Sequence, residues 1–139
     1  FLMEKGFKPV KSAEGWQLST PSMLLYACHL AALDEIKLAG WDHILAKQKI
    51  MKSYLHKLLI DLREHAASGQ LRILTPEKES GCQVSLYFAK DGRKIYDALM
   101  KKGIIIDWRE PNVIRFAPVP LYNTFADIWR VYDALKMML

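Results

Sequence analysis

The chain has 139 residues, of which 51% are hydrophobic and 25% charged. One domain of that length can bury a core without disulfides or metal, and the composition excludes a disordered, collagenous or disulfide-stapled chain. Twenty basic residues against fifteen acidic ones leave a net charge of +5, too mild to indicate nucleic acid unless the charges cluster.

Residues 1–18 carry Gly6, Pro9 and Gly15 and read as an extended lead-in. The opening, Phe1-Leu2-Met3-Glu4-Lys5-Gly6, lacks both an initiator Met at its first position and signal-peptide grammar, and suggests a chain cut from something longer. Ser19-Thr20-Pro21 predicts a helix start, a hydroxyl N-cap followed by Pro in the first turn. That helix should run to about Ala39 and stop at Gly40. Leu24 to Leu33 is its most apolar stretch. The stretch is shorter than the roughly 18 residues of a membrane span, and a buried helix is the better expectation.

Asp42 should open a second helix, ending near Gly69, with Ile44, Met51, Leu55, Leu58, Leu59 and Leu62 on one face. Leu71 to Leu74 predicts a short strand, and Cys82, Val84, Leu86 and Phe88 alternate with polar residues as a half-buried strand does. Asp91-Gly92 should cap a third helix with Ile95, Ala98 and Leu99 on one face, closed by Gly103. Ile104-Ile105-Ile106 predicts a strand, as does Val113 to Phe116 after the Pro111-Asn112 turn. Asn123 is expected to cap a last helix with Phe125, Ile128, Trp129, Tyr132 and Leu135 on one face. The order α-α-β-β-α-β-β-α predicts an α+β fold, a small, mainly antiparallel sheet covered by helices.

Chemistry-bearing candidates are few. Cys28 and Cys82 are too few and too far apart for a secreted framework or a zinc site. Their apolar or small neighbours predict buried thiols in a reducing compartment. His29, His43, His56 and His65 lack metal-binding spacing. Lys47, Lys49, Lys52 and Lys57 scatter around the second helix, which predicts a solvated surface with snorkelling stems rather than a nucleic-acid patch. Nucleophile elbows, phosphate loops and dinucleotide fingerprints are absent, so the chain does not read as a complete enzyme. Arg115, set in Val113-Ile114-Arg115-Phe116, is the most informative residue. Its fork suits a carboxylate, either an anionic ligand or an Asp or Glu of this chain, unless the residue simply lies on the wet face of an edge strand. The hydroxyls and backbone N–H groups at Ser19-Thr20 could serve as a plain cap or as an anion site.

Gly15 to Pro21, Gly81 to Ser85, Gly103 to Arg109 and the run from Asn112 to Phe125, with its Ala117-Pro118-Val119-Pro120-Leu121-Tyr122-Asn123, closely resemble the C-terminal part of kynureninase. The resemblance implies the small domain, over residues 1–139, of a pyridoxal-phosphate enzyme of the aspartate-aminotransferase-like fold. That enzyme would be a cytoplasmic homodimer of tryptophan catabolism. It would hydrolyse L-kynurenine or 3-hydroxykynurenine to anthranilate or its hydroxy form and L-alanine, without metal, membrane or nucleic acid. By the same resemblance, Arg115 binds the substrate α-carboxylate. Thr20, with Ser19, lies near the cofactor phosphate and the substrate's aromatic end, across the dimer interface. Thr20 in place of Asn favours plain kynurenine. No catalytic residue is expected within the chain, since the Schiff-base lysine and most cofactor contacts belong to the large domain. The chain alone should therefore be inactive, and the apolar faces of its first helix and lead-in should meet that domain. A free-standing α+β module binding a small anion or a protein is the alternative, and roles for Trp16 and Tyr122 stay open.

Overall fold

Two periodicities organise the chain, 3.6 residues in four helices and 2 residues in four strands. The computed structural model describes residues 5–139, so the opening Phe1-Leu2-Met3-Glu4 lies outside the described residues. The elements are α1 (Met23–Ala39), α2 (Trp41–His65), β1 (Leu71–Ile73), β2 (Val84–Phe88), α3 (Gly92–Lys101), β3 (Asp107–Arg109), β4 (Val113–Phe116) and α4 (Phe125–Lys136). They divide into two compact units, one ending at Leu38 and the other spanning residues 39–139.

The first unit holds a single 3-10 turn at Ala13–Trp16 within an otherwise irregular lead-in, then α1. The helix begins at Met23, and its first backbone bond joins the Tyr26 N–H to the Ser22 carbonyl. Ser19, Thr20 and Pro21 therefore precede the helix instead of forming its first turn. The helix ends where expected, at Gly40 with φ +80°, a conformation that costs glycine little. The expected burial does not appear, since none of the residues of α1 is buried. Its apolar side chains surround the axis instead of marking one stripe, so no single face gathers them. Cys28 is exposed and Cys82 half-buried, which corrects the expectation of two buried thiols.

In the second unit all strand pairs are antiparallel, in the order β1-β2-β4-β3. Alternation sends Val84, Leu86, Phe88, Ile114 and Phe116 into the core. There they meet Met51, Leu55, Leu59 and Leu62 of α2, Ile95 and Leu99 of α3, and Ile128, Tyr132 and Leu135 of α4. The α2 face matches the expected one, with Ile44 only half-buried at its open end. Phe125 and Trp129 of α4 stay 40% and 49% exposed, so the buried stripe is narrower than the apolar pattern.

Two ends differ from expectation for definable reasons. The isoleucine run at 104–106 is not a strand. Gly103, at φ +74°, ends α3 in a Schellman arrangement, its N–H bonding the Met100 carbonyl and the Ile104 N–H bonding that of Leu99. Beyond Phe116, Pro118 and Pro120 offer no N–H, so residues 104–106 find no strand to pair with and the ladder starts at Asp107. At α4 the cap is Thr124, not Asn123. Thr124 and Asp127 form a reciprocal capping box, while the Asn123 side chain accepts a bond from the Val119 N–H. Asp91, at the start of α3, makes no side-chain bond to the helix backbone and pairs with Lys94 at 2.6 Å.

α2 and α4 are also joined by a polar cluster. The buried Tyr132 hydroxyl donates to the Asp61 carboxylate, and Lys136 donates to the Tyr132 oxygen at 2.8 Å. The Tyr132 hydrogen bond holds the Asp61 carboxyl below the usual carboxylate range against a smaller opposing effect of desolvation, and His65 and Lys136 add to the lowering. A depressed aspartate stabilises the fold above its unfolded pKa of about 4, and that contribution is lost as pH falls through the lower folded value. Tyr132→Phe should raise the Asp61 pKa, read by carboxyl-carbon NMR titration, and move the acid-unfolding midpoint to higher pH.

Candidate functional site

The face of the sheet turned away from the core carries Arg72, Ser85, Tyr87, Asp107, Arg109, Val113 and Arg115, as the register requires. Arg115 sits on β4, between Ser85 of β2 and Asp107 of β3. Its side chain is 31% exposed, so the head is neither free in water nor buried outright. The guanidinium contacts the Asp107 carboxylate through Nε and Nη2. Arg109, two residues along β3 on the same face, donates to the same Oδ2 oxygen at 3.0 Å. Partial desolvation pushes the Asp107 carboxyl up, but the Arg115 hydrogen bond and the Arg109 charge outweigh it and hold the pKa below the ordinary value. Two cations share one anion, leaving one net positive charge. Arg72 lies farther along this face, over the Tyr87 ring.

Arg115 and Asp107 line an open cleft of about 310 Å³ with Gln83, Ile105, Ile106 and Ala117. A second cleft of about 450 Å³ shares Ile105, Ile106 and Ala117 and extends to Tyr122, Asn123 and Arg130. The isoleucines left unpaired after α3 therefore form an apolar wall beside the arginine. Ile105 is 87% exposed.

The loop after β4 is fixed from several directions. Asn123 bonds Val119 twice, N–H to carbonyl at 2.8 Å and side-chain oxygen to N–H at 2.8 Å. Lys47 of α2 donates to the Pro120 carbonyl at 2.6 Å and to the Asn123 carbonyl at 2.9 Å. Lys52 similarly holds the Ser80 carbonyl at 3.0 Å. Both lysines are half-buried. They pin loops, where the scatter of charge around α2 predicted only a solvated surface. A lysine spacing carries no signal for a carbonyl 28 or 73 residues away, so these roles were invisible in the sequence.

Ser19 and Thr20 are exposed and precede α1, whose first turn contains no acidic residue. They belong to the first unit and Arg115 to the second. Trp16 is 87% exposed. Of the histidines, His56 is buried with its Nε2 atom unpaired, and burial pushes its pKa down. Among the described residues no group of three or more His, Cys, Asp or Glu could hold a metal ion, and no helix is long and apolar enough to cross a membrane.

A helix-backed antiparallel sheet with an aspartate-paired arginine beside an apolar wall defines an α+β domain with an arginine-lined cleft. Its lineage is definite. The profile of the kynureninase C-terminal domain family matches residues 46–135, and the chain belongs to that family. It is 40% identical over 138 residues to kynureninase from Flavobacterium psychrophilum, covering 98% of this chain and 32% of that protein. Kynureninase 2 from Aspergillus fumigatus is 41% identical over 144 residues, covering all of this chain and 30% of its own length. The chain thus spans about a third of the length of the curated relatives it matches. Among solved structures, glycine decarboxylase (P-protein) of the glycine cleavage system, in inhibitor-bound form, aligns with a TM-score of 0.55 at 25% identity. The alignment covers 75% of this chain and 24% of that one.

Replacing Lys47 by Met keeps the stem and removes both loop bonds. The Asn123 amide, held by Val119, should then exchange with solvent about tenfold faster. Hydrogen exchange by NMR checks this, with the Leu59 amide in the middle of α2 as the unchanged control.

Proposed function

We propose that this chain is the C-terminal small-domain portion of a kynureninase that hydrolyses L-kynurenine or 3-hydroxykynurenine to anthranilate, or its hydroxy form, and L-alanine. The observation that carries the reading is Arg115 lining a cleft on the outer sheet face of a kynureninase-family domain. Its role is to bind the substrate α-carboxylate. A planar fork gripping a planar anion sets both position and rotation, which a point charge does not. Fixing the carboxylate orients the bond to be cleaved and lowers the entropic part of the barrier. Ile105, Ile106 and Ala117 supply an apolar wall along one side of the open cleft.

Bound pyridoxal phosphate supplies the electron sink that carbon–carbon cleavage needs. The donors here suit its phosphate. Ser19 and Thr20 offer exposed hydroxyls, the first turn of α1 offers backbone N–H groups with no intrahelical partner, and no acidic side chain of that turn opposes an anion. Ser19 and Thr20 would hold the phosphate, and Thr20 in place of Asn favours kynurenine over its hydroxylated form. The lysine that joins the cofactor belongs to the remainder of the enzyme. The apolar circumference of α1 supports such a remainder, since a helix apolar on all sides is stable in water only when covered. In the whole enzyme, a cytoplasmic homodimer, this domain is the part that recognises the amino-acid end of the substrate.

In the full-length enzyme, Arg115→Ala should raise KM for kynurenine about 100-fold and lower kcat/KM at least as much. Arg115→Lys should recover charge but not the fork, with KM about tenfold above wild type. Anthranilate fluorescence reads both, and unchanged kinetics in Arg115→Ala would remove the assignment. The 139-residue chain alone, given pyridoxal phosphate and kynurenine, should release no anthranilate. Measurable turnover by it would show that the catalytic groups lie within this chain.

A further inference from the structure

An aspartate touching the arginine that is to receive a carboxylate poses a problem. Asp107 is an anion of the same kind as the ligand, and it would compete for the guanidinium if it occupied the same edge. The contact geometry separates the two. Asp107 meets Arg115 through Nε and Nη2, which lie on the side edge of the guanidinium. A guanidinium carries five N–H groups. The side edge uses Nε–H and one hydrogen of Nη2. The end-on pair, Nη1–H and the second Nη2–H, is a separate fork able to take a second carboxylate bidentately.

We propose that Asp107 is a positioning residue for substrate recognition, holding the side edge of Arg115 so that its end-on fork is presented to the substrate carboxylate. This rests on the assignment of Arg115 to that carboxylate. Three observations carry it. Asp107 stands directly opposite Arg115 in the β3–β4 ladder, so the pair is fixed by backbone register and not by the reach of a loop. One oxygen, Oδ2, receives both Arg115 and Arg109, so the carboxylate is doubly neutralised and its repulsion of an incoming anion is offset. Both members line the same cleft, at 31% and 45% side-chain exposure. At that exposure the pair is well screened, so its main effect is on orientation and little on stability. An arginine without such a partner spreads over many rotamers and must be ordered by each substrate molecule that arrives.

The roles of a positioning aspartate and of a competing one have opposite signs. The test uses the full-length enzyme carrying this chain, with kynurenine as substrate and kynuramine, its analogue without the carboxylate, as binding probe. Asp107→Ala should raise KM for kynurenine about tenfold, with kcat within about twofold of wild type and kynuramine affinity unchanged. Asp107→Asn, whose amide oxygen still accepts from Nε–H, should fall between the two. A KM that is unchanged or lowered in Asp107→Ala, while Arg115→Ala raises it, would overturn the proposal and leave the Arg115 assignment standing. Loss of kynuramine and kynurenine binding together would show a general structural role and also overturn it. If Arg115→Ala itself leaves KM unchanged, the assignment on which the proposal rests fails first.

Discussion

An arginine on an inner strand must either find an anion or keep its head in water, and here the register of two short strands supplies the anion. Asp107 faces Arg115 because β3 and β4 pair in one particular alignment, and a slip of one residue would turn Asp107 and Arg109 toward the core and bring Trp108 outward. Burial guards against that slip. Ile114 and Phe116 anchor β4 in the core, and Trp108 packs against it beside the Tyr96 ring at 5.8 Å. The hydrophobic face of the sheet thus determines the charge geometry of the opposite face.

The cleft beside this pair is assembled from what the sheet leaves unpaired. β4 ends because proline follows, and α3 ends because Gly103 can turn left-handed. Between those two stops, three isoleucines with strong strand propensity are left without a partner strand and become a wall. On the other side, the proline-rich loop has no ladder of its own and is held by Asn123 and by Lys47 of α2. A helix distant in sequence therefore stiffens the segment that follows the arginine.

Much of this was legible from residue patterns. The stripe of Met51, Leu55, Leu59 and Leu62, the alternation of Val84, Leu86 and Phe88, and the Gly40 and Gly103 stops all lie where periodicity and glycine chemistry put them. Arg115 also stood out, because an arginine among β-branched and aromatic residues contradicts its surroundings. Its contact with Asp107 realises one of the two partners its fork allowed, an acidic residue of this chain, and leaves an edge for the other. The misses share a cause. Isoleucines 104–106 have the propensity for a strand but no neighbour, and pairing is a tertiary property that propensity does not encode. Thr124 displaced Asn123 as a cap because Asp127 lies three positions after it and a reciprocal bond became possible. Lys47 and Asp107 have roles defined by partners brought close only by folding.

The unpaired stretch after Gly103 also behaves as slack in the chain. It joins a helix whose end is closed by its own backbone bonds to a strand whose alignment is fixed by side-chain packing. A residue gained or lost within 104–106 changes the wall of the cleft but leaves both neighbours in phase. The same change inside β3 would turn over the side chains of the rest of that strand. A change of length here can therefore reshape the apolar side of the cleft while the charged side keeps its geometry, so the shape of the cleft and the placement of its charges can vary independently.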